Sequence, residues 1–197
     1  IAHEDRITGF RALPRVEAED FFLAAPARDR AELLLALPSL EQRSWMRLLP
    51  PDDAADVIQA APAEEKDRLL GLLEEPSRKE VNALLAYAED AAGGLMNPNY
   101  ARLRPEATID EAISYLRRQA RDRAETIYYV YVLDEQQRLL GVVSFRELFA
   151  APPGKRVQDI MHADVVTLRE DQDQESVSQM FTRDGYLALP VVDAENR

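Results

Sequence analysis

The sequence predicts an α+β chain: an N-terminal all-α superhelical domain, then two tandem βαβ-type units with the second truncated. Three observations predict it. Pro26, Pro38, Pro50 and Pro62 recur twelve residues apart, with Pro76 slightly late, and apolar runs lie between them. The pair Gly93-Gly94 then breaks the helical pattern, which reads as a turn and a domain boundary. Beyond it, Leu95-Met96-Asn97-Pro98, Ala101 to Glu106 and Thr108 to Leu116 are echoed by Ile160-Met161, Val166 to Asp171 and Asp173 to Phe181. Each copy continues into a strand ending on an acid, Asp134 or Asp193.

The length of 197 residues gives room for one or two domains with real cores. The net charge of −12 argues against nucleic-acid binding, which needs a basic face. It suits either plain solubility or recruitment of cations. The chain has no cysteine, which excludes disulfides and thiolate zinc sites, and only His3 and His162 offer imidazole. A metal site must then be built from oxygen, which favours magnesium or calcium. No apolar run approaches the ~20 residues that cross a bilayer, and the start lacks a signal-peptide pattern. The expectation is a soluble, cytosol-type piece.

In the first half, proline suits a first helical turn, where its missing amide costs nothing. Asp29, Glu41, Asp52, Asp53, Glu64 and Glu65 follow these prolines and favour the positive end of a helix. Leu33-Leu34-Leu37, Trp45-Met46-Leu48-Leu49, Val57-Ile58 and Leu69-Leu70-Leu72-Leu73 supply apolar stripes, read as core. Short helices stacked as a superhelix result. Residues 1–14 receive no element.

Asp52 and Asp56 stand four apart and would share a helix face. Like charges at that spacing destabilise a helix by about 0.2–0.5 kcal/mol. Asp53 adds a third charge. Asp52 and Asp53 are either helix-dipole and capping residues or part of a cation site; capping alone explains Asp56 less well.

In the second half, Thr108-Ile109-Asp110-Glu111 reads as a capping box, with Ile109, Ala112, Ile113 and Leu116 on one apolar face. Ile127 to Leu133 is a buried strand by its β-branched and aromatic content. Gln136 to Arg138 is the turn, Leu139 to Val143 the next strand, and Ser144 to Phe149 begins a helix.

These residues, with Gly141-Val142-Val143-Ser144-Phe145-Arg146-Glu147, resemble a cystathionine-β-synthase-type (CBS) domain. The second copy resembles its partner but lacks a last strand and helix, so the parent chain is expected to continue. Domain boundaries are placed at 1–92, 93–154 and 155–197. The junction Tyr87-Ala88-Glu89-Asp90-Ala91-Ala92-Gly93-Gly94-Leu95-Met96, with Glu125 to Val132, resembles the cytosolic part of MgtE-type magnesium transporters. That resemblance implies a magnesium-sensing regulatory region on the cytoplasmic face of the membrane, a homodimer formed through CBS domains, and a transmembrane pore domain elsewhere in the same chain. Magnesium held between the acidic domain and the CBS pair would favour the compact, pore-closed state.

Carried over by the resemblance, the metal ligands fall on Asp20, Asp52 and Asp56, with the Gly94 carbonyl near the junction. On the second copy they fall on Asp173 and Glu175. Asp173 is also placed as a helix cap, which is compatible with ion binding. A further family aspartate falls on Gly185, with Asp184 beside it. The CBS signature implies an adenine-nucleotide site, with ATP as modulator: Ser144 and Glu147 on the ribose, Tyr129 on the base, Arg146 toward phosphate. Ser144 and Glu147 read equally as a helix cap.

No glycine-rich phosphate loop, cysteine nucleophile or serine–histidine motif is present, so an enzyme is not expected. His162 reads as a solvated turn residue. Two alternatives stand beside the magnesium sensor: a CBS module governed by an adenine nucleotide, and a helical adaptor whose acids are only surface.

Overall fold

The computed structural model describes residues 3–122 and 129–197, in two compact units, Ile1–Glu89 with Gly94–Pro98 and Asp90–Gly93 with Asn99–Arg197. The first unit holds α1 (His3–Ala12), α2 (Arg15–Ala24), α3 (Ala27–Ala36), α4 (Ser39–Met46), α5 (Pro51–Ala60), α6 (Ala63–Leu70) and α7 (Glu75–Leu84). Pro14, Pro26, Pro38, Pro50 and Pro62 each stand one residue ahead of a helix, with φ from −54 to −58° and ψ from 142 to 158°. They therefore act one position earlier than the expected first-turn placement, which only Pro51 and Pro76 adopt. The residue before proline is driven to extended backbone. Ala25, Leu37 and Ala61 obey at ψ 149, 155 and 155°, and each helix stops there.

The period reaches back to Pro14, so residues that the sequence left unassigned form α1. Phe10 on α1 is buried, with its ring 5.0 Å from Trp45 and 6.4 Å from Phe22. Phe22, Leu34, Met46 and Ile58 each follow their proline by eight residues and are at most 1% exposed. Burying one such side chain stabilises by about 1.5–3 kcal/mol. The twelve-residue spacing thus delivers one fully buried anchor from each of α2 to α5 to a common core. Gln42 is also buried, and it is satisfied: its amide donates to the Leu37 carbonyl at 2.8 Å while Arg68 donates to its oxygen at 2.5 Å.

Gly93-Gly94 does not make a turn. Ala92–Leu95 forms one short helical turn, α8. Gly94 is buried there, and a Cβ would collide with the Ala88 carbonyl oxygen. Ala92 and Gly93 donate their amides to the Gln172 and Glu170 carbonyls at 2.8 and 2.9 Å, within the second unit.

The second unit begins with β1 (Ala101–Leu103), α9 (Ile109–Asp122), β2 (Tyr129–Leu133), β3 (Leu139–Ser144) and α10 (Phe145–Ala150). The sheet order is β1-β2-β3, with β1 parallel and β3 antiparallel to β2. Ile127 and Tyr128, expected in the strand, lie outside the described residues, as do Glu125 and Thr126. Val130, Val132 and Val143 are fully buried, packed in one core with Ile109, Ala112 and Leu116 of α9. The Thr108–Glu111 capping box forms as expected, with Thr108 N–H donating to Glu111 at 2.9 Å and Glu111 N–H to Thr108 Oγ1 at 3.3 Å.

The second copy has a 3₁₀ turn (Val157–Asp159), β4 (Leu168–Arg169), α11 (Gln174–Asp184) and β5 (Val191–Val192), with β4 and β5 parallel. The duplication extends to atoms. Asp134 accepts from the Arg138 amide at 2.8 Å and its guanidinium at 2.7 Å; Asp193 does the same with Arg197 at 2.8 and 2.9 Å. Gln137 and Asn196, one residue earlier in each turn, take φ of 64 and 63°. The two turns also pair, since Asn196 accepts from the Leu139 amide at 2.8 Å and donates through its side chain to the Leu139 carbonyl at 2.9 Å.

Candidate cation and nucleotide sites

The acids on α5 occupy its first turn and the next. Asp53 does not cap the helix: its carboxylate lies 2.7 Å from Arg30 of α3, whose side chain is 11% exposed. Arg30 is itself anchored by the Ala25 and Leu23 carbonyls at 2.6 and 2.9 Å. Asp52 is different. Its Oδ1 is buried with no hydrogen-bond partner among the described residues. Burial pushes its carboxyl above the usual range, further raised by Asp53, while backbone amides of Asp52 and Asp53 and the charge of Arg30 pull the other way. Asp56 is raised by burial first, then by Asp53 and Asp52, with Glu89 adding a further push and Arg30 opposing.

One guanidinium therefore faces an excess of negative charge. A buried polar oxygen without a partner costs free energy that a bound cation would recover. All the donors are oxygens, the chemistry that magnesium and calcium select. Among the described residues, no three carboxylate or imidazole groups converge closely enough to hold an ion. An ion held here would therefore keep water among its ligands.

The other acids named from the sequence are placed as follows. Asp20 is exposed on α2. Asp173 caps α11, accepting the Ser176 amide at 2.9 Å, with exposed Glu175 in the first turn. Asp184 is taken by Arg183 at 2.7 Å. Gly185 closes α11 at φ 70°, a left-handed position that favours glycine and explains its presence where an aspartate was expected.

The second cluster lies where β3 enters α10. Ser144 and Glu147 form a full capping box: Ser144 N–H and Oγ donate to Glu147 Oε2 at 2.9 and 2.7 Å, and Glu147 N–H donates to Ser144 Oγ at 3.2 Å. Tyr129 pairs with Ser144 across the hairpin, and Arg146 is exposed. Tyr131, two along from Tyr129, has its hydroxyl pushed up to about 12 by burial, with Tyr129 adding to it.

His162 is solvated as expected, its ring 63% exposed, yet its backbone is bridged to a strand rather than lying in a turn. Its amide and carbonyl pair reciprocally with Val142 at 2.9 Å each, extending the free edge of β3, and its Nε2 lies 2.5 Å from Glu147 Oε1. A Cβ on Gly141 would sit 2.7 Å from the His162 carbonyl oxygen, so the residue facing this segment must be glycine. The His162 contact and the two bonds from Ser144 hold the Glu147 carboxyl down at about 2.

An all-α domain followed by two βαβ-type copies is the architecture of a helical domain joined to a CBS pair. A model described as the MgtE intracellular N domain matches residues 1–90, and a CBS domain model matches 92–154 and 157–197. The magnesium transporter MgtE of Thermus thermophilus is 50% identical over 130 residues, 66% of this chain and 29% of that protein. That of Bacillus subtilis is 36% identical over 127 residues, covering 64% and 28%. A crystal structure of the cytosolic domain of the Mg2+ channel MgtE in complex with ATP superposes with a TM-score of 0.89 at 42% identity, covering 100% of this chain and 80% of that one. The chain belongs to the MgtE family and is homologous to its cytosolic domain. The MgtE relatives are transporters and not enzymes. This chain spans 29% and 28% of the length of these two curated relatives, and among the described residues no helix is long and apolar enough to cross a membrane.

Proposed function

We propose that this chain is the magnesium-sensing regulatory region of a magnesium transporter or channel, at the cytoplasmic face of its membrane. The observation that carries the reading is the unsatisfied charge on α5: a buried, unpartnered Asp52 oxygen beside an Asp56 whose ionisation is opposed. Asp52 and Asp56 are the principal ion-binding groups, with Asp20 and the Gly94 carbonyl as further donors of the helical domain. Asp173 and Glu175 serve the second CBS copy, where Asp173 keeps its capping bond. Asp53 acts indirectly, through Arg30, and Asp184 is reserved for the Gly185 departure.

Acidic faces repel until a divalent ion screens them, so binding favours a compact state and shifts the population toward a closed pore. The domains are 1–92, 93–154 and 155–197; the CBS copies form a homodimer, and the effector is a transmembrane pore domain of the same protein. ATP acts as a modulator at Tyr129, Ser144, Arg146 and Glu147, a reading supported by the ATP complex of the 42% identical relative. Small-angle scattering of the 197-residue chain across a magnesium titration, at matched ionic strength in potassium, tests the compaction. Contraction specific to magnesium is expected; an unchanged radius of gyration would refute it.

A further inference from the structure

The nucleotide reading assigns Glu147 to the ribose, yet that carboxylate is already in use. A carboxylate offers about four acceptor positions. Two on Oε2 are taken by the Ser144 amide and hydroxyl, and one on Oε1 is taken by His162 at 2.5 Å. One position on Glu147 is left, so with His162 bonded the carboxylate cannot accept both adjacent hydroxyls of a ribose. The Ser144 bonds belong to the cap that starts α10 and are retained with the helix. The His162 bond does not: its ring is 63% exposed, so it can exchange Glu147 for water. The histidine backbone, by contrast, is fixed by the paired Val142 bonds and by the glycine at position 141. The ring is thus held within reach of Glu147 whether or not it bonds there.

We propose that His162 is an internal competitor for the nucleotide ribose, its ring occupying the Glu147 Oε1 position that a ribose hydroxyl must take. Segment 160–162 of the second copy thereby sets the affinity of the first copy's site, and nucleotide binding releases the His162 side chain. The inference rests on the nucleotide reading above, and the test separates the two.

Calorimetric titration of the 197-residue chain with adenosine and with ATP provides it. His162→Ala should bind both ligands about threefold to tenfold more tightly, since freeing one hydrogen-bond position is a modest effect. His162→Gln keeps a donor in reach of Oε1 and should bind as the wild type does. Unchanged or weaker binding by His162→Ala, or a change confined to ATP, would overturn the competition. Glu147→Ala should abolish binding of both ligands; if it binds adenosine normally, the nucleotide reading itself fails. In wild-type protein, which needs no refolded variant, saturating adenosine should move the His162 imidazole nitrogen resonances to those of a water-exposed ring. Resonances that stay put would contradict the proposal.

Discussion

Asp52 and Asp56 on α5 are driven toward their neutral forms by burial and by the charge of Asp53, whereas Glu147 on α10 stays ionised down to about pH 2. The difference lies in the partners. Glu147 has both oxygens engaged by Ser144 and His162, while Asp52 keeps a buried oxygen with none. A carboxylate completed from within can only exchange ligands, as with a ribose hydroxyl. One left incomplete favours a charge from outside, and oxygen donors select a hard cation. On the proposed function, the same side-chain chemistry serves a ribose in one unit and a hard cation in the other.

The comparison breaks most visibly at Asp53, which resembles Asp52 in sequence and Glu147 in circumstance. Its Arg30 partner is nearly buried, so Asp53→Ala removes the direct ion pair and leaves that guanidinium only the more distant charges of Asp52 and Asp56. A loss of about 1–3 kcal/mol in urea unfolding is expected, below the full value for a buried pair because Asp53 keeps a third of its exposure. Glu147→Ala comes next, removing the N3 half of the capping box while Ser144 stays as the cap, and costing about 1 kcal/mol.

Its pH dependence sharpens the contrast. A depressed carboxyl stabilises the fold above its unfolded value near 4.5, and that stability is lost as pH falls toward about 2. The gap between wild type and Glu147→Gln should therefore close across that window in acid titrations of melting temperature. The smallest effect carries the opposite sign. Asp56 has a raised carboxyl, so its folding contribution is present below the unfolded value and lost as pH rises. In chelator at neutral pH, Asp56→Asn should stabilise by about 0.5 kcal/mol, or roughly 2–4 °C in melting temperature.

Local chemistry was legible in the sequence. The proline period marks the helices, and the Thr108–Glu111 and Ser144–Glu147 boxes form within four-residue spans. Even there the recurring prolines stand at the N-cap rather than in the first turn. What the sequence did not disclose is tertiary. Arg30 and Asp53 lie 23 positions apart, and Glu147 and His162 lie 15 apart, with no periodicity linking them. Gly93-Gly94 read as a turn from composition, yet Gly94 is helical and needs its missing Cβ to clear Ala88. Burial of one Asp52 oxygen, the feature on which the cation site rests, has no sequence signal beyond its neighbours' charge.

The most direct test of the central claim is thermal unfolding of the 197-residue chain across a magnesium titration, beside the Asp52→Asn/Asp56→Asn variant, at constant ionic strength. Wild type should gain about 2.7 kcal/mol once magnesium reaches about 100-fold its dissociation constant, while the variant loses most of that gain. Equal magnesium responses in the two proteins, or none in either, would contradict the assignment of α5 as the sensing site.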